Sequence, residues 1–203
     1  MSAEEQKKPI TIYAEASPNP DSMKFVANVS FLPDGINADY PKKEDADKSP
    51  LAQELFNFDY IKRVFIAANF VSVTKSSETQ WVEVIPELRG FIKSYLEEEN
   101  KVFTEMPEKK KVENTDSKTA DSTELESKII ELLDNYVRPA VEQDGGNIDF
   151  VSFKEGIVTV RLQGSCSGCP SATVTLKSGI ESLLKRMVPE VVSVEAEGVQ
   201  EMF

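Results

Sequence analysis

Two cysteines and the lack of histidine limit the chemistry that this chain can do. Cys166 and Cys169 lie three positions apart in the run Gly164-Ser165-Cys166-Ser167-Gly168-Cys169-Pro170, and the sequence contains no histidine. Catalytic Ser–His and Cys–His couples are therefore excluded. Two thiols are half of the four ligands that a zinc site or an iron–sulfur cluster usually takes from protein. Either the thiols act as a redox pair, or a second copy of the chain supplies the other half of a metal site.

The segments on either side of the cysteines are predicted to be a strand and a helix. Residues 157–162 have the composition of a strand, and residues 173–187 carry apolar side chains at helical spacing. Backbone N–H groups at the start of a helix stabilise negative charge, so a thiolate in this loop should bind metal readily. Gly164 and Gly168 permit tight turns that let both sulfurs face one point. The same geometry also suits a thioredoxin-like dithiol, so the spacing alone does not separate the two functions.

The remainder of the second half is predicted to contain a helix, a hairpin and a final strand. A capping box at Thr123-Glu124-Leu125-Glu126 predicts where the helix begins, and Pro139 predicts a kink or an early end in its last turn. Tyr136 and Met187 belong to helical faces that should point inward. Asp144-Gly145-Gly146 is predicted to be a helix-terminating turn, in preference to an active carboxylate. The predicted strands are 148–153, 157–162 and 191–194.

The first half has its own set of predicted strands and helices. Ser49 and Pro50 form an N-cap and first residue for a short helix, and a longer amphipathic helix is predicted over 79–98. The polar stretch 34–48 is predicted to be a long connection. The predicted strands of this half are 10–14, 23–30, 63–67 and 70–74.

A polar tract separates the two halves. Residues 100–121 are charged and polar and show no sustained periodicity. Such a segment buries too little apolar surface to offset its ordering entropy, so it should be flexible. We therefore predict an α+β protein with two small α+β domains, at 1–99 and 122–203, joined by a flexible linker at 100–121.

The composition also excludes several classes of partner. The formal net charge of −12 disfavours nucleic acid, which proteins bind through clusters of Lys and Arg. No stretch approaches the ~20 apolar residues of a membrane-spanning helix. The first eight residues resemble neither a signal peptide nor a transit peptide, and two closely spaced cysteines suit a reducing compartment. The sequence therefore predicts a cytoplasmic protein with no membrane or nucleic-acid partner.

Three motifs carry a resemblance to a known family. Residues 141–150, which include Asp-Gly-Gly, and residues 160–171, which include Cys-x-x-Cys, resemble the C-terminal domain of NifU, found in the Nfu family. Residues 17–25, Ser-Pro-Asn-Pro-Asp-Ser-Met-Lys-Phe, resemble the N-terminal domain of Nfu proteins. The C-terminal resemblance is the more specific, because it combines two motifs at the right separation.

This resemblance implies a non-enzymatic carrier of iron–sulfur clusters. It implies that two chains each give Cys166 and Cys169 as metal ligands to one bridging 4Fe-4S cluster, so that the cluster-bound form is a homodimer. It further implies an upstream assembly scaffold that supplies the cluster and recipient apoproteins that accept it. The first domain has no thiol, and we expect it to select recipients.

Two alternatives remain. A dithiol oxidoreductase would use Cys166 and Cys169 in redox exchange, and a structural zinc site would hold two chains together. The strand–helix–strand unit that should precede a redox Cys-x-x-Cys is replaced here by a predicted helix and hairpin, which favours the cluster carrier.

Overall fold

The protein is an α+β protein with two separate sheets, as predicted. The computed structural model describes residues 9–107, 120–167 and 170–197. One sheet has five strands in the order β1-β2-β5-β4-β3, and the other has three in the order β6-β7-β8. The chain divides into two compact units, the first made of residues 1–15 and 24–107, the second of residues 16–23 and 108–203.

The first sheet and its helices follow most of the predicted pattern. Strand β3 pairs antiparallel with β4, and β4 with β5. Helix α2 buries Val84, Leu88 and Ile92 at helical spacing, as its amphipathic pattern predicted. The elements are β1 (Ile12–Ala16), β2 (Ser22–Ala27), β3 (Asn37–Tyr40), a 3-10 turn (Lys43–Ala46), α1 (Pro50–Leu55), β4 (Ile61–Ala67), β5 (Phe70–Lys75) and α2 (Trp81–Glu97).

The predicted N-cap of α1 is confirmed. The Ser49 hydroxyl oxygen accepts a hydrogen bond from the Ala52 N–H at 3.3 Å, and Pro50 is the first helical residue. The same hydroxyl donates to the Val102 carbonyl at 2.8 Å. Ser49 thus fixes both the start of the helix and a segment more than fifty positions along the chain.

The stretch 34–48 contains a strand that the sequence did not predict. Ala38 and Tyr40 of β3 are buried, and Asp39 forms an ion pair with Arg63 on the neighbouring strand β4. The strand has only four residues, and two of them are Asn37 and Asp39, which are rare in strands. Its stability therefore comes from pairing with a distant strand, which a local pattern does not reveal.

Residues 100–107 at the start of the predicted linker pack within the first unit, and its last two residues, 120 and 121, belong to helix α3 (Ala120–Leu132). The Thr104 N–H donates to the Lys48 carbonyl at 2.9 Å, and Phe103 is buried. The part of the linker from 108 to 119 lies outside the described residues. The domain boundaries 1–99, 100–121 and 122–203 stay a prediction.

The second unit packs helices against a short sheet. Strands β6 and β7 are antiparallel, and β8 is parallel to β7. Its main elements are α3 (Ala120–Leu132), a π-helical segment (Leu133–Val137), α4 (Arg138–Gln143), β6 (Gly146–Lys154), β7 (Ile157–Gly164), α5 (Pro170–Met187) and β8 (Ser193–Ala196). The core contains Ile129, Leu133, Val137, Val141, Ile148, Phe150, Val158, Val160, Ile180 and Leu184, among others.

The helices of this unit depart from the prediction in three ways. Helix α3 already includes Ala120, so Thr123 is inside the helix and the predicted capping box is wrong. Pro139 does interrupt the helix, as predicted. The chain forms a π-helical segment directly before α4, the short helix that contains Pro139. Tyr136 lies on that segment and is 63% exposed, since the wider π turn changes which side chains face the core. Met187 ends α5 and is 41% exposed, so its predicted inward position is also wrong.

The hairpin and final strand agree better with the sequence. Glu155 and Gly156 connect β6 and β7 with φ values of 51° and 81°, the left-handed geometry of a tight hairpin turn. Strand β8 begins at Ser193, two positions later than predicted.

Among the helices of the described ranges, none is long and apolar enough to cross a membrane.

Candidate metal centre

The first predicted ligand, Cys166, lies in the loop between β7 and α5. Strand β7 ends at Gly164 and helix α5 begins at Pro170. The Cys166 side chain is 7% exposed and belongs to the core of the second unit. Cys169 lies outside the described residues. The structure therefore places one of the two predicted ligands, and the pairing of the thiols at one metal stays a prediction.

The turn between α4 and β6 holds the cysteine loop by hydrogen bonds. The Ser165 hydroxyl donates to the Asp144 carbonyl at 2.5 Å, and the Ser165 N–H donates to the Gly145 carbonyl at 3.3 Å. The turn itself ends α4, since the Gly145 N–H donates to the Glu142 carbonyl at 3.0 Å and Gly145 has a φ of 85°. The prediction of a helix-terminating turn at Asp144-Gly145-Gly146 is confirmed.

Gly146 provides the space in which the Cys166 side chain lies. A Cβ atom at Gly146 would stand 2.9 Å from the Cys166 Sγ and 2.6 Å from the Gln163 carbonyl oxygen. Both distances are shorter than normal van der Waals contact, so only glycine fits without a shift of its neighbours. The lack of a side chain at Gly146 therefore leaves room for one sulfur atom, the Cys166 Sγ.

The loop starts with a second glycine turn. Gly164 has a φ of 64°, and its carbonyl accepts a hydrogen bond from the Ser167 N–H at 3.1 Å. The predicted tight turn at Gly164 is confirmed, whereas Gly168 lies outside the described residues. Gly164 also pairs with Gly146 across β6 and β7, so the two glycines face each other at the end of the sheet.

A buried polar network fixes this end of the sheet. Asn147 and Gln163 are register partners that are 1% and 2% exposed. The Asn147 side-chain amide donates to Gln163 Oε1 and to Asp149 Oδ1, each at 2.9 Å. Its oxygen accepts a hydrogen bond from Arg138 Nη1. Arg138 also bonds Asp134 Oδ1 through Nε at 3.0 Å and Nη2 at 2.7 Å, which links the strands to the π-helical segment.

Sequence reasoning missed this network, although a signal for it exists. Asn147 comes one residue after Gly146, and Gln163 comes one residue before Gly164. Two amide side chains, each beside a glycine at the end of a predicted strand, indicate a register pair at that end of the sheet.

The end of helix α5 adds an electrostatic element to the site. The helix has 18 residues and begins four positions after Cys166. The N-terminal end of a helix carries partial positive charge and N–H donors, which favour a thiolate over a thiol. The loop that precedes this helix is held at Ser165 by the turn at Asp144-Gly145-Gly146.

Two family models match the chain, in the same order as its two sheets. Residues 12–99 match the N-terminal domain of the scaffold protein Nfu/NifU, and residues 129–195 match the NifU-like domain. Proteins of Drosophila persimilis and Drosophila erecta are each 37% identical over 93% of this chain, and the matched part is 66% and 65% of their length. Both carry the name "NFU1 iron-sulfur cluster scaffold homolog, mitochondrial". The chain thus spans about two thirds of the length of these relatives.

Solved structures give weaker likenesses. A solution structure of a NifU-like protein from Saccharomyces cerevisiae is 20% identical, covers 52% of this chain and 93% of its own, and has a TM-score of 0.44. A crystal structure of a Staphylococcus aureus protein is 22% identical, covers 40% of this chain and 98% of its own, and has a TM-score of 0.36. The assignment rests instead on the two domain matches and the sequence relatives, which show that the chain belongs to the NifU/Nfu family.

Proposed function

We propose that the chain carries an iron–sulfur cluster as cargo and transfers it to apoproteins. In this proposal Cys166 and Cys169 of two chains bind one bridging 4Fe-4S cluster. The observation that carries the proposal is the position of Cys166, whose side chain lies against Gly146 in the NifU-like domain. The names of the relatives, which describe iron–sulfur cluster scaffolds, support the same cargo.

The count of ligands supports sharing between two chains. A 4Fe-4S cluster usually takes four cysteine thiolates from protein. Each chain has two cysteines and no histidine, so two chains supply the full set. The cluster-bound form is then a homodimer, and loss of the cluster should favour its dissociation.

In this proposal the chain is a carrier between other proteins. An upstream assembly scaffold supplies the cluster, recipient apoproteins accept it, and the chain itself catalyses no reaction. The cytoplasmic location predicted from the sequence stays a prediction, and the relatives in Drosophila are named as mitochondrial proteins.

Anaerobic reconstitution with iron and sulfide tests the cargo and its stoichiometry together. We expect a brown protein with about four iron and four sulfide per two chains, which elutes from size exclusion as a dimer. A cluster held by a demonstrated monomer without added thiol would contradict the shared site. Zinc retention without iron would indicate a structural zinc site. A chain that retains no metal but exchanges disulfides would indicate a dithiol oxidoreductase.

The first domain, in this proposal, selects the recipients. The 12 residues between Pro107 and Ala120 would, as a flexible tether, span a root-mean-square distance of about 20 Å, which gives two linked domains a high effective concentration. Cluster delivery from the full chain should therefore exceed delivery from residues 121–203 alone, or from an equimolar mixture of the two halves. Equal delivery to several recipient apoproteins by all three would refute the recruiting role.

A further inference from the structure

We propose that Gly146 and Ser165 are positioning residues that set the place of the Cys166 thiol. They touch no cargo themselves. They act through the backbone and the space around one ligand, and so determine how firmly the chain holds its cluster. The position of the Cys166 thiol is inferred from geometry alone, whereas the effect of that position on cluster retention rests on the proposed function.

Gly146 acts by having no side chain. It is the first residue of β6 and pairs with Gly164, so it lies directly beside the cysteine loop. An added Cβ would meet the Gln163 carbonyl oxygen at 2.6 Å, the Cys166 Sγ at 2.9 Å and the Cys166 Cβ at 3.3 Å. The first of these atoms is backbone of the paired strand, which the Asn147–Gln163 hydrogen bond holds in register. An alanine therefore requires a shift of the backbone at this end of the strands as well as of the Cys166 side chain, and both shifts should displace the thiol.

Ser165 acts by fixing the backbone next to Cys166. Its hydroxyl and its N–H each bond a carbonyl of the turn at Asp144 and Gly145, and the residue is 2% exposed. The hydroxyl oxygen lies 3.9 Å from the Cys166 Sγ. Removal of the hydroxyl leaves the weaker of the two bonds to the turn, the 3.3 Å contact from the N–H, and the bond that the Ser165 carbonyl accepts from the Asn19 side-chain amide at 3.1 Å. The loop should then open more often and expose the thiol.

Alkylation of a single thiol measures its position directly. The full chain with Cys169→Ser keeps only Cys166, whose reaction rate with iodoacetamide reports how often the loop opens. In this background Ser165→Ala should raise the rate about fivefold, the change that corresponds to about 1 kcal/mol for one hydrogen bond. Gly146→Ala should raise it by at least as much.

Two matched controls separate position from general destabilisation. Gly179→Ala adds the same methyl group in α5 of the same unit, where no atom lies within 4 Å of the new Cβ. Ser182→Ala removes a hydroxyl that donates to the Ser178 carbonyl at 2.8 Å on the exposed side of α5. Both controls should leave the alkylation rate unchanged. Rates for Ser165→Ala and Gly146→Ala that equal the parent rate would overturn the proposal, and Ser165→Ala decides it if Gly146→Ala fails to fold by circular dichroism.

Iron retention then tests the link to cargo. With both cysteines present, the reconstituted Ser165→Ala and Gly146→Ala chains should lose iron to a chelator several-fold faster than the parent and the two controls. Equal rates of iron loss would overturn the role in cluster retention. If the parent takes up no iron, the proposed cargo is wrong, and the alkylation rates still decide whether these residues position the thiol.

Discussion

Buried polar side chains are scattered in the first unit, whereas in the second unit three of them meet at one end of a sheet. In the first unit, Ser49 caps α1, Ser72 lies in the middle of β5, and Lys75 lies at the end of β5 with its Nζ 5.1 Å from the centre of the Trp81 ring. In the second unit, Asn147, Gln163 and Ser165 are at most 2% exposed; Asn147 and Gln163 are register partners at the end of the sheet, and Ser165 directly precedes Cys166.

This difference shows which part of the fold is held in one fixed geometry. A buried polar group without a partner costs about 1 to 3 kcal/mol, so a dense set of such groups is stable only when every member is paired. The set around Asn147 is paired on both strands and to Arg138. A network of this kind fixes one local geometry, and that geometry is the one that holds the Cys166 loop.

The largest effect should come from loss of either thiol of the second unit. Cys166→Ala or Cys169→Ser should abolish stable cluster retention after reconstitution, because two chains then offer only two thiolates. Ser167→Ala, between the two cysteines, is the matched control and should retain the cluster. Iron analysis after gel filtration measures the effect. Alanine is preferred at position 166 because the side chain is buried in the core, where a serine hydroxyl would need a new partner. A cluster retained by the double variant would require ligands other than these thiols.

The second largest effect concerns stability in the second unit. Asn147→Ala removes two donated bonds and the acceptor of Arg138, and it leaves the buried Gln163 amide with one partner fewer. We expect a loss of about 3 kcal/mol in the free energy of unfolding of this unit.

Urea unfolding followed by far-ultraviolet circular dichroism measures this loss. The control is Asn57→Ala in the first unit, where an exposed side chain bonds Glu54 and Lys43, and the change should stay within about 0.5 kcal/mol. Equal losses for both variants would show that the buried network has no special weight.

A smaller effect is expected from a buried polar group of the first unit. Ser49→Ala removes the N-cap of α1 and the bond to the Val102 carbonyl, which should cost about 1 to 2 kcal/mol. Trp81 is the one tryptophan in the sequence and lies in this unit, so its fluorescence follows the unfolding. The Cys166 alkylation rate should not change. A changed rate would mean that the cap also supports the cysteine loop, and would contradict the view that only buried polar groups of the second unit hold that loop.

Much of the fold follows from local sequence composition and spacing. Strands β4 to β7 are rich in β-branched and other apolar residues, helix α2 has its apolar positions at helical spacing, and each was predicted within a few residues. Strand β3 was missed because pairing with β4, rather than its own composition, makes it a strand. The exposure of Tyr136 was missed because the π-helical segment before Pro139 changes the helical period that the prediction assumed.

The sequence limits the chemistry of the site but does not determine its geometry. The spacing of Cys166 and Cys169 and the lack of histidine leave a redox dithiol and a thiol-ligated metal shared between two chains as alternatives. In the structure Cys166 is buried. Its burial depends on the approach of Gly146, twenty positions earlier in the chain. Contacts of this kind require the register of β6 and β7, which no local pattern contains.

The smallest expected effect is a pH-dependent one on the exposed side of the second unit. Glu181 in α5 accepts a hydrogen bond from Lys185 Nζ at 2.5 Å and one from the Val194 N–H of β8 at 3.2 Å. These two bonds, the lysine first, lower the pKa of Glu181 below its ordinary value. A carboxyl whose pKa is lower in the folded state stabilises that state above its unfolded pKa, and this contribution disappears as the pH falls through the lowered pKa.

Glu181→Gln keeps an acceptor for Val194 and loses the charge. The urea midpoint of the variant should therefore lie slightly below that of the parent at pH 7, and the two should converge as the pH falls to about 3, below the ordinary range of a glutamate. A difference that stayed constant over this range would mean that packing or hydrogen bonding alone, and not the charge of Glu181, joins α5 to β8.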